Sequence, residues 1–252
     1  MYMKLCNIIS AIIIASSACL VSCDKMVEKG MQAMMESVSN HDYQDSEKWG
    51  KVVTIDILTV GFNEIDLSGA VRLEYKQDSI YSVQVYGNEK AIEAYTITSE
   101  DDELVASLKE GTGSINKNTP AITLRITAPF ITEIQASGAT DIILKDSISQ
   151  DKELDINIGG AGNVKMDNLC LTENLEVITT GAANLVGRVE CRKLKLKMSG
   201  AGSGNLDINS KQARLTLSGA VNVTVSGECH DFAYAATGSS SVKKEGLNKG
   251  EE

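Results

Sequence analysis

Along the second half of the chain, apolar residues fall on every second position, stop at a small-Gly-small triplet, and then resume. Counted back from each glycine, positions −6, −4 and −2 read Leu154, Ile156, Ile158; Leu175, Val177, Thr179; Leu194, Leu196, Met198; and Phe232, Tyr234, Ala236. Positions +3 and +4 read Asp141-Ile142, Asn163-Val164, Asn184-Leu185 and Asn222-Val223. A period of two predicts strands, so each unit is a strand, a glycine corner and a second strand. The corner glycines are Gly69, Gly138, Gly160, Gly181, Gly200, Gly219 and Gly238, spaced by 69, 22, 21, 19, 19 and 19 residues.

A unit of 19 to 22 residues without helical period cannot bury its apolar face alone. It must stack on its neighbours, as solenoid repeats do. No unit carries the L-x-x-L-x-L-x-x-N pattern of a leucine-rich repeat. The expected fold is therefore all-β, a parallel β-helix or β-solenoid with rungs of about 19 to 22 residues. The alternate apolar side chains point inward and successive rungs lie about 4.8 Å apart. Glycine supplies a corner conformation that a Cβ resists, and Asn or Asp at +3 is placed to form ladders of side-chain hydrogen bonds. The run Gly200-Ala201-Gly202-Ser203-Gly204 resembles a phosphate cradle only superficially. A dinucleotide fingerprint requires glycine where Asn205 stands and a helix afterwards, whereas Leu206-Asp207-Ile208 alternates like a strand.

The 69-residue gap between Gly69 and Gly138 has another layout. Val71 to Tyr86 reads as a hairpin turning at Gln77-Asp78-Ser79, Asn88 to Ala94 as one or two helical turns, and Leu104 to Leu108 as a strand. Residues 51–130 are expected to form an N-terminal β section capping the solenoid of residues 131–246, with 247–252 a polar tail.

At the other end, Lys4 precedes an apolar run from Leu5 to Leu20 that is too short for a stable membrane span. Leu20-Val21-Ser22-Cys23 resembles a bacterial lipobox, which implies cleavage after residue 22 and a lipid on Cys23. The alternative is an ordinary signal peptide cut near Ala18. Residues 1–22 are thus read as a lipoprotein signal peptide and 23–50 as a lipid-anchored spacer. Met26, Val27, Met31, Met34, Met35 and Val38 make part of the spacer an amphipathic helix candidate, weakened by Gly30. His41 in the spacer has no second ligand nearby, so no metal site follows.

The segment FNEIDLSGAVRLEY (Phe62 to Tyr75), the strands after it and the SGA/TGA units resemble the DUF2807 family, "putative auto-transporter adhesin, head GIN domain". The resemblance spans about residues 60 to 246. It implies a right-handed β-helix in an exported protein, often a lipoprotein, with an adhesive role and no catalytic residues or cofactor. A self-secreting autotransporter would end in a membrane barrel, whereas this sequence runs out in KKEGLNKGEE.

Charge narrows the partners. The formal net charge is −10, and loss of Lys4 with the leader makes it −11, which argues against nucleic acid and anionic membrane as electrostatic partners. Cys170, Cys191 and Cys229 each follow a corner glycine by ten residues, and Ser210 takes that place in the intervening unit. Counting this way puts Cys170, Cys191, Ser210 and Cys229 in one column, with a Cys170–Cys191 disulfide or free thiols both open. A metal site is disfavoured, because a column offers ligands from one side only. Cys229 and His230 are adjacent on a strand, so their side chains should diverge rather than form a nucleophilic pair. Glu100-Asp101-Asp102-Glu103 lacks the spaced oxygens of a calcium loop. A polysaccharide-binding or polysaccharide-cleaving β-helix is the competing reading. It needs converging carboxylates or exposed rings, and the aromatics concentrate only at Tyr75, Tyr81, Tyr86 and Tyr95, with Trp49 in the spacer. The sequence therefore predicts a non-catalytic lipoprotein module of the cell envelope, held at the outer membrane through Cys23. Its partner is an unidentified protein or glycan.

Overall fold

The computed structural model describes residues 46–109 and 120–250. The fold is all-β, with ~80% of these residues in strands of one large open sheet. Helix is confined to two short pieces, α1 (Ser46–Trp49) and α2 (Glu89–Glu93). The strands are β1 (Val52–Ile57), β2 (Glu64–Gln77), β3 (Ser82–Asn88), β4 (Tyr95–Glu100), β5 (Glu103–Leu108) and β6 (Ile122–Ala128). They continue as β7 (Glu133–Gln150), β8 (Leu154–Leu171), β9 (Asn174–Gly238) and β10 (Ser241–Asn248). The spacer helix candidate, His41 and Cys23 lie outside the described residues.

From β2 onward the pairing is parallel and in register at the glycines: Gly69 faces Gly138, Gly138 faces Gly160, and Gly160 faces Gly181. The long β9 stacks on itself, with Gly200 against Gly181, Gly219 against Gly200 and Gly238 against Gly219. The alternating apolar positions explain this arrangement. Leu154, Ile156, Leu175, Val177, Leu194 and Leu196 are all buried in one continuous core, and each such side chain contributes roughly 1.5–3 kcal/mol relative to exposure.

The N-terminal section finishes the first edge in two halves. β5 pairs with the first half of β2 (Glu64 to Leu67), and β6 with the second half (Val71 to Gln77). Between them the backbone of Ala70 has no strand partner on that side. The Tyr95 hydroxyl fills the gap, accepting from Ala70 N at 2.9 Å and donating to Ala70 O at 3.1 Å.

The expected hairpin over Val71 to Tyr86 does not form. β6 lies parallel to β2 and takes its edge, and β3 pairs antiparallel with β6 instead. Alternation places Val83 and Val85 on the core side, but it carries no information about which edge they meet. The helical turn expected near Asn88 is α2.

The far end is finished more lightly. Among the described residues, no further strand pairs with β10 or with the last part of β9. Phe232 is half-buried and Tyr234 is 50% exposed. The Lys244 ammonium lies over both rings, 4.7 Å and 5.6 Å from their centroids, a charge at an edge that discourages further strand pairing.

Candidate interaction surface

Every corner glycine of the sequence pattern has a positive φ, from +75° at Gly238 to +119° at Gly181. The column also leaves no room for a side chain. A Cβ on Gly200 would sit 2.1 Å from the carbonyl oxygen of Gly181, and one on Gly160 2.4 Å from that of Gly138. Both conditions select glycine at once. Beside the glycines runs the polar ladder. Asn184 donates to Asn163 Oδ1 at 3.1 Å, Ser203 to Asn184 Oδ1 at 2.7 Å, and Ser241 to Asn222 Oδ1 at 2.7 Å.

The outward positions just before each glycine form a broad face. Its outermost −1 column is short and polar: Ser137, Gly159, Thr180, Ser199, Ser218 and Thr237. The −5 column carries charge. Glu64 faces Glu133, Glu133 faces Asp155, and Asp155 faces Glu176. The next two members, at the 19-residue spacing, are Lys195 and Arg214. Lys195 and Lys197 reach back to Glu176 at 2.7 and 3.4 Å. Burial raises the Glu176 carboxyl, but those lysines outweigh it and hold its pKa below the usual range. Asp155 goes the other way. Its partial burial, and then the neighbouring Glu176, Glu153 and Glu133, push its pKa up. The sequence reading missed this column, although the count that found the glycines gives it directly, five residues upstream.

The thiol column needs a correction. Cys170 faces Glu190, not Cys191, because the register shifts between Met166 and Leu169. The true interior column follows Gln150, which faces Leu171, and continues through Cys191, Ser210 and Cys229, all buried. Cys170 turns outward and is half-buried, and the three thiols are free. Ser210 Oγ lies 3.4 Å from Cys229 Sγ. Burial pushes the Cys191 thiol up to about 12, which leaves it protonated and inert as a nucleophile at neutral pH. Beside this column lies a shallow concavity of about 380 Å³ whose lining includes Glu190, Arg192, Glu228 and His230. Cys229 is buried while His230 is half-buried on the neighbouring strand position.

The remaining candidates are placed as follows. Asp101 and Asp102 make the tight turn between β4 and β5, both with positive φ, and no group of three or more His, Cys, Asp or Glu able to hold a metal ion occurs among the described residues. Tyr75 and Tyr95 are buried, and the Tyr75 hydroxyl donates to Ala128 O. Tyr81 packs edge-on against Phe62, and the Arg125 guanidinium lies over Tyr86. Tyr75, Tyr86 and Tyr95 stand in β2, β3 and β4. Trp49 ends α1 under the Lys48 ammonium.

Residues 61–189 and 172–251 match the family profile described as "Putative auto-transporter adhesin, head GIN domain", DUF2807. Among solved structures, the chain is similar to a "putative adhesin" from Bacteroides fragilis at 20% identity and a TM-score of 0.55. That match covers 77% of this chain and 97% of the other. It is also similar to a "putative adhesin" from Parabacteroides merdae at 16% identity and a TM-score of 0.44, covering 78% and 97%. A third is a "Putative lipid binding protein" from Parabacteroides distasonis, at 18% identity and a TM-score of 0.46, covering 78% and 97%. No curated protein matches the chain.

Proposed function

Because the chain belongs to the DUF2807 family, we propose that it is a non-catalytic interaction module of the cell envelope, adhesin-like in action and tethered through a lipid on Cys23. In this reading the stacked units wind as a right-handed β-solenoid over residues 131–246, residues 51–130 cap it, and residues 23–50 hold it off the outer membrane. The observation that carries the reading is the exposed face of stacked short polar and charged columns, fixed by an interior with no slack at the glycines. Such a face is rigid before binding, so contact with an ordered protein or glycan surface costs little ordering entropy.

The tether is tested first. Cys23→Ser should move the protein to the soluble fraction and abolish labelling by a fatty-acid probe; unchanged labelling removes the anchor. Protease shaving of intact cells, paired with capture of partners on the purified chain, tests the surface role. Glycan cleavage by the purified chain, lost on substitution of a single carboxylate, would replace this reading with the enzymatic one.

A further inference from the structure

The −5 column changes sign along the stack between Glu176 and Lys195, beside the middle unit. Of the seven glycine units, that of Gly181 is the middle one, with three units on each side. On one side the outward face carries Glu64, Asp66, Glu133, Glu153 and Asp155; on the other it carries Lys193, Lys195, Lys197 and Arg214, with Asp231 held by Arg214. On the middle unit the half-buried Ile178 stands outward beside Glu176.

We propose that this face binds a second copy of the chain, face to face, about a two-fold axis lying in the interface along the Gly181 unit. A rotation about that axis keeps each column opposite the same column and reverses the order of units. Asp155 and Glu153 then meet the partner copy's Lys195 and Lys193, and Glu133 meets its Arg214. The two Ile178 side chains meet on the axis. Glu176 faces its own copy there, and its charge is already matched by Lys195 and Lys197 within each chain. Arg214 holds Asp231 and keeps further guanidinium donors for Glu133. Isologous symmetry requires a self-complementary patch, and the pairings of Glu133 with Arg214, Glu153 with Lys193 and Asp155 with Lys195 meet that requirement, with Glu64 opposite the uncharged Ala233.

Size and electrostatics agree. Seven strands spaced by ~4.8 Å and about seven residues of each give a face of roughly 34 by 23 Å. The two copies together bury about 1,500 Å², within the range of stable interfaces. Asp155, whose pKa burial and neighbouring acids push up against the lowering by Lys195 of its own chain, gains a second cation in the pair.

Sedimentation velocity of the full chain in nonionic detergent, from about 1 to 100 µM, tests the pair. The wild type should dimerise at low salt, with a Kd that weakens at least about tenfold at 0.5 M NaCl. Reversing the basic side (K193E, K195E, K197E, R214E) or the acidic side (E133K, E153K, D155K) should each give a monomer, and so should I178R. A one-to-one mixture of the two reversed variants should restore a dimer, because every facing pair is again opposite in sign. That rescue separates lost complementarity from lost folding. A wild type that stays monomeric at 100 µM in low salt, a dimer that survives either reversal, or a mixture that fails to recombine overturns the proposal.

Discussion

The two ends of the sheet solve the same problem with unequal means. Beyond β2, a strand edge that would stay open is divided between β5 and β6, and a buried tyrosine hydroxyl satisfies the one backbone stretch left between them. Beyond Asn222 to Glu228 of β9, only β10 is added among the described residues, Phe232 and Tyr234 stay partly in water, and one lysine lies across them. Both ends lie on the same parallel stack. The difference teaches that the interior demands complete satisfaction of backbone and volume, while a terminal strand is tolerated once a charge makes it a poor template.

Substitutions that separate interior from end sharpen this contrast. The largest effect is expected at the middle of the glycine column. Gly200→Ala combines a φ of +115° with a 2.1 Å approach to Gly181 O, and should cost about 3 kcal/mol or more in urea unfolding. Gly246→Ala, near the open end with φ +67° and nothing within 4 Å, should cost only about 1 kcal/mol. Next is a gain. In Ser210→Cys, mild oxidation should bridge residue 210 to Cys229, whose sulfur is 3.4 Å from Ser210 Oγ, and raise stability by about 2 kcal/mol. Disulfide mapping by mass spectrometry checks it, and a native Cys170–Cys191 bridge would contradict the register.

Of similar size is the loss at the capped end. Tyr95→Phe leaves the N–H and C=O of Ala70 without their partner and should cost roughly 2 kcal/mol. The same groups set an alkaline response. Burial raises Tyr95 to about 12 against a lowering by its hydrogen bond to Ala70, and burial raises Cys191 to about 12. Both acids are neutral when protonated, so the stabilisation is fully present below their unfolded pKa values. Above about pH 9 for Cys191 and pH 10 for Tyr95, the unfolded chain releases its proton first. Stability should then fall toward pH 12 by up to ~1.4 kcal/mol per pH unit and group. Denaturation followed across that range should show a shallower decline in Cys191→Ala and Tyr95→Phe. The smallest effect belongs to the open end: Tyr234→Lys should change stability by no more than ~0.5 kcal/mol.

Much of the stack was legible because its constraint is local. A glycine every 19 to 22 residues, apolar residues at even offsets before it and Asn at +3 state where each unit bends and which side is buried. Partner choice was not legible. Val83 and Val85 alternate as a hairpin arm should, yet β6 lies between them and β2, since hydrophobic period is blind to which edge a strand finds. The cysteine column failed by one residue for a visible reason. Buried positions step by three from Met166 to Leu169, while their partners step by two from Gly187 to Val189, and counting from the glycine alone crosses that irregularity unnoticed. Of the interaction face, the −5 charges were present in the same count. Their meaning was not, because charges 19 to 22 residues apart become one column only when the units are stacked in order.

The 19-residue spacing also sets an order of events. Each of the last three glycine contacts, from Gly181 to Gly238, closes the same span of 19 residues, whereas Gly69 meets Gly138 only after a span of 69. Loop closure for the longer span costs about 1 kcal/mol more, before the strands of the N-terminal section find their places. Short-range pairing is also the faster kind. Assembly therefore starts among the units of β9 and travels backward, so the segment that leaves the ribosome first is the one that closes last.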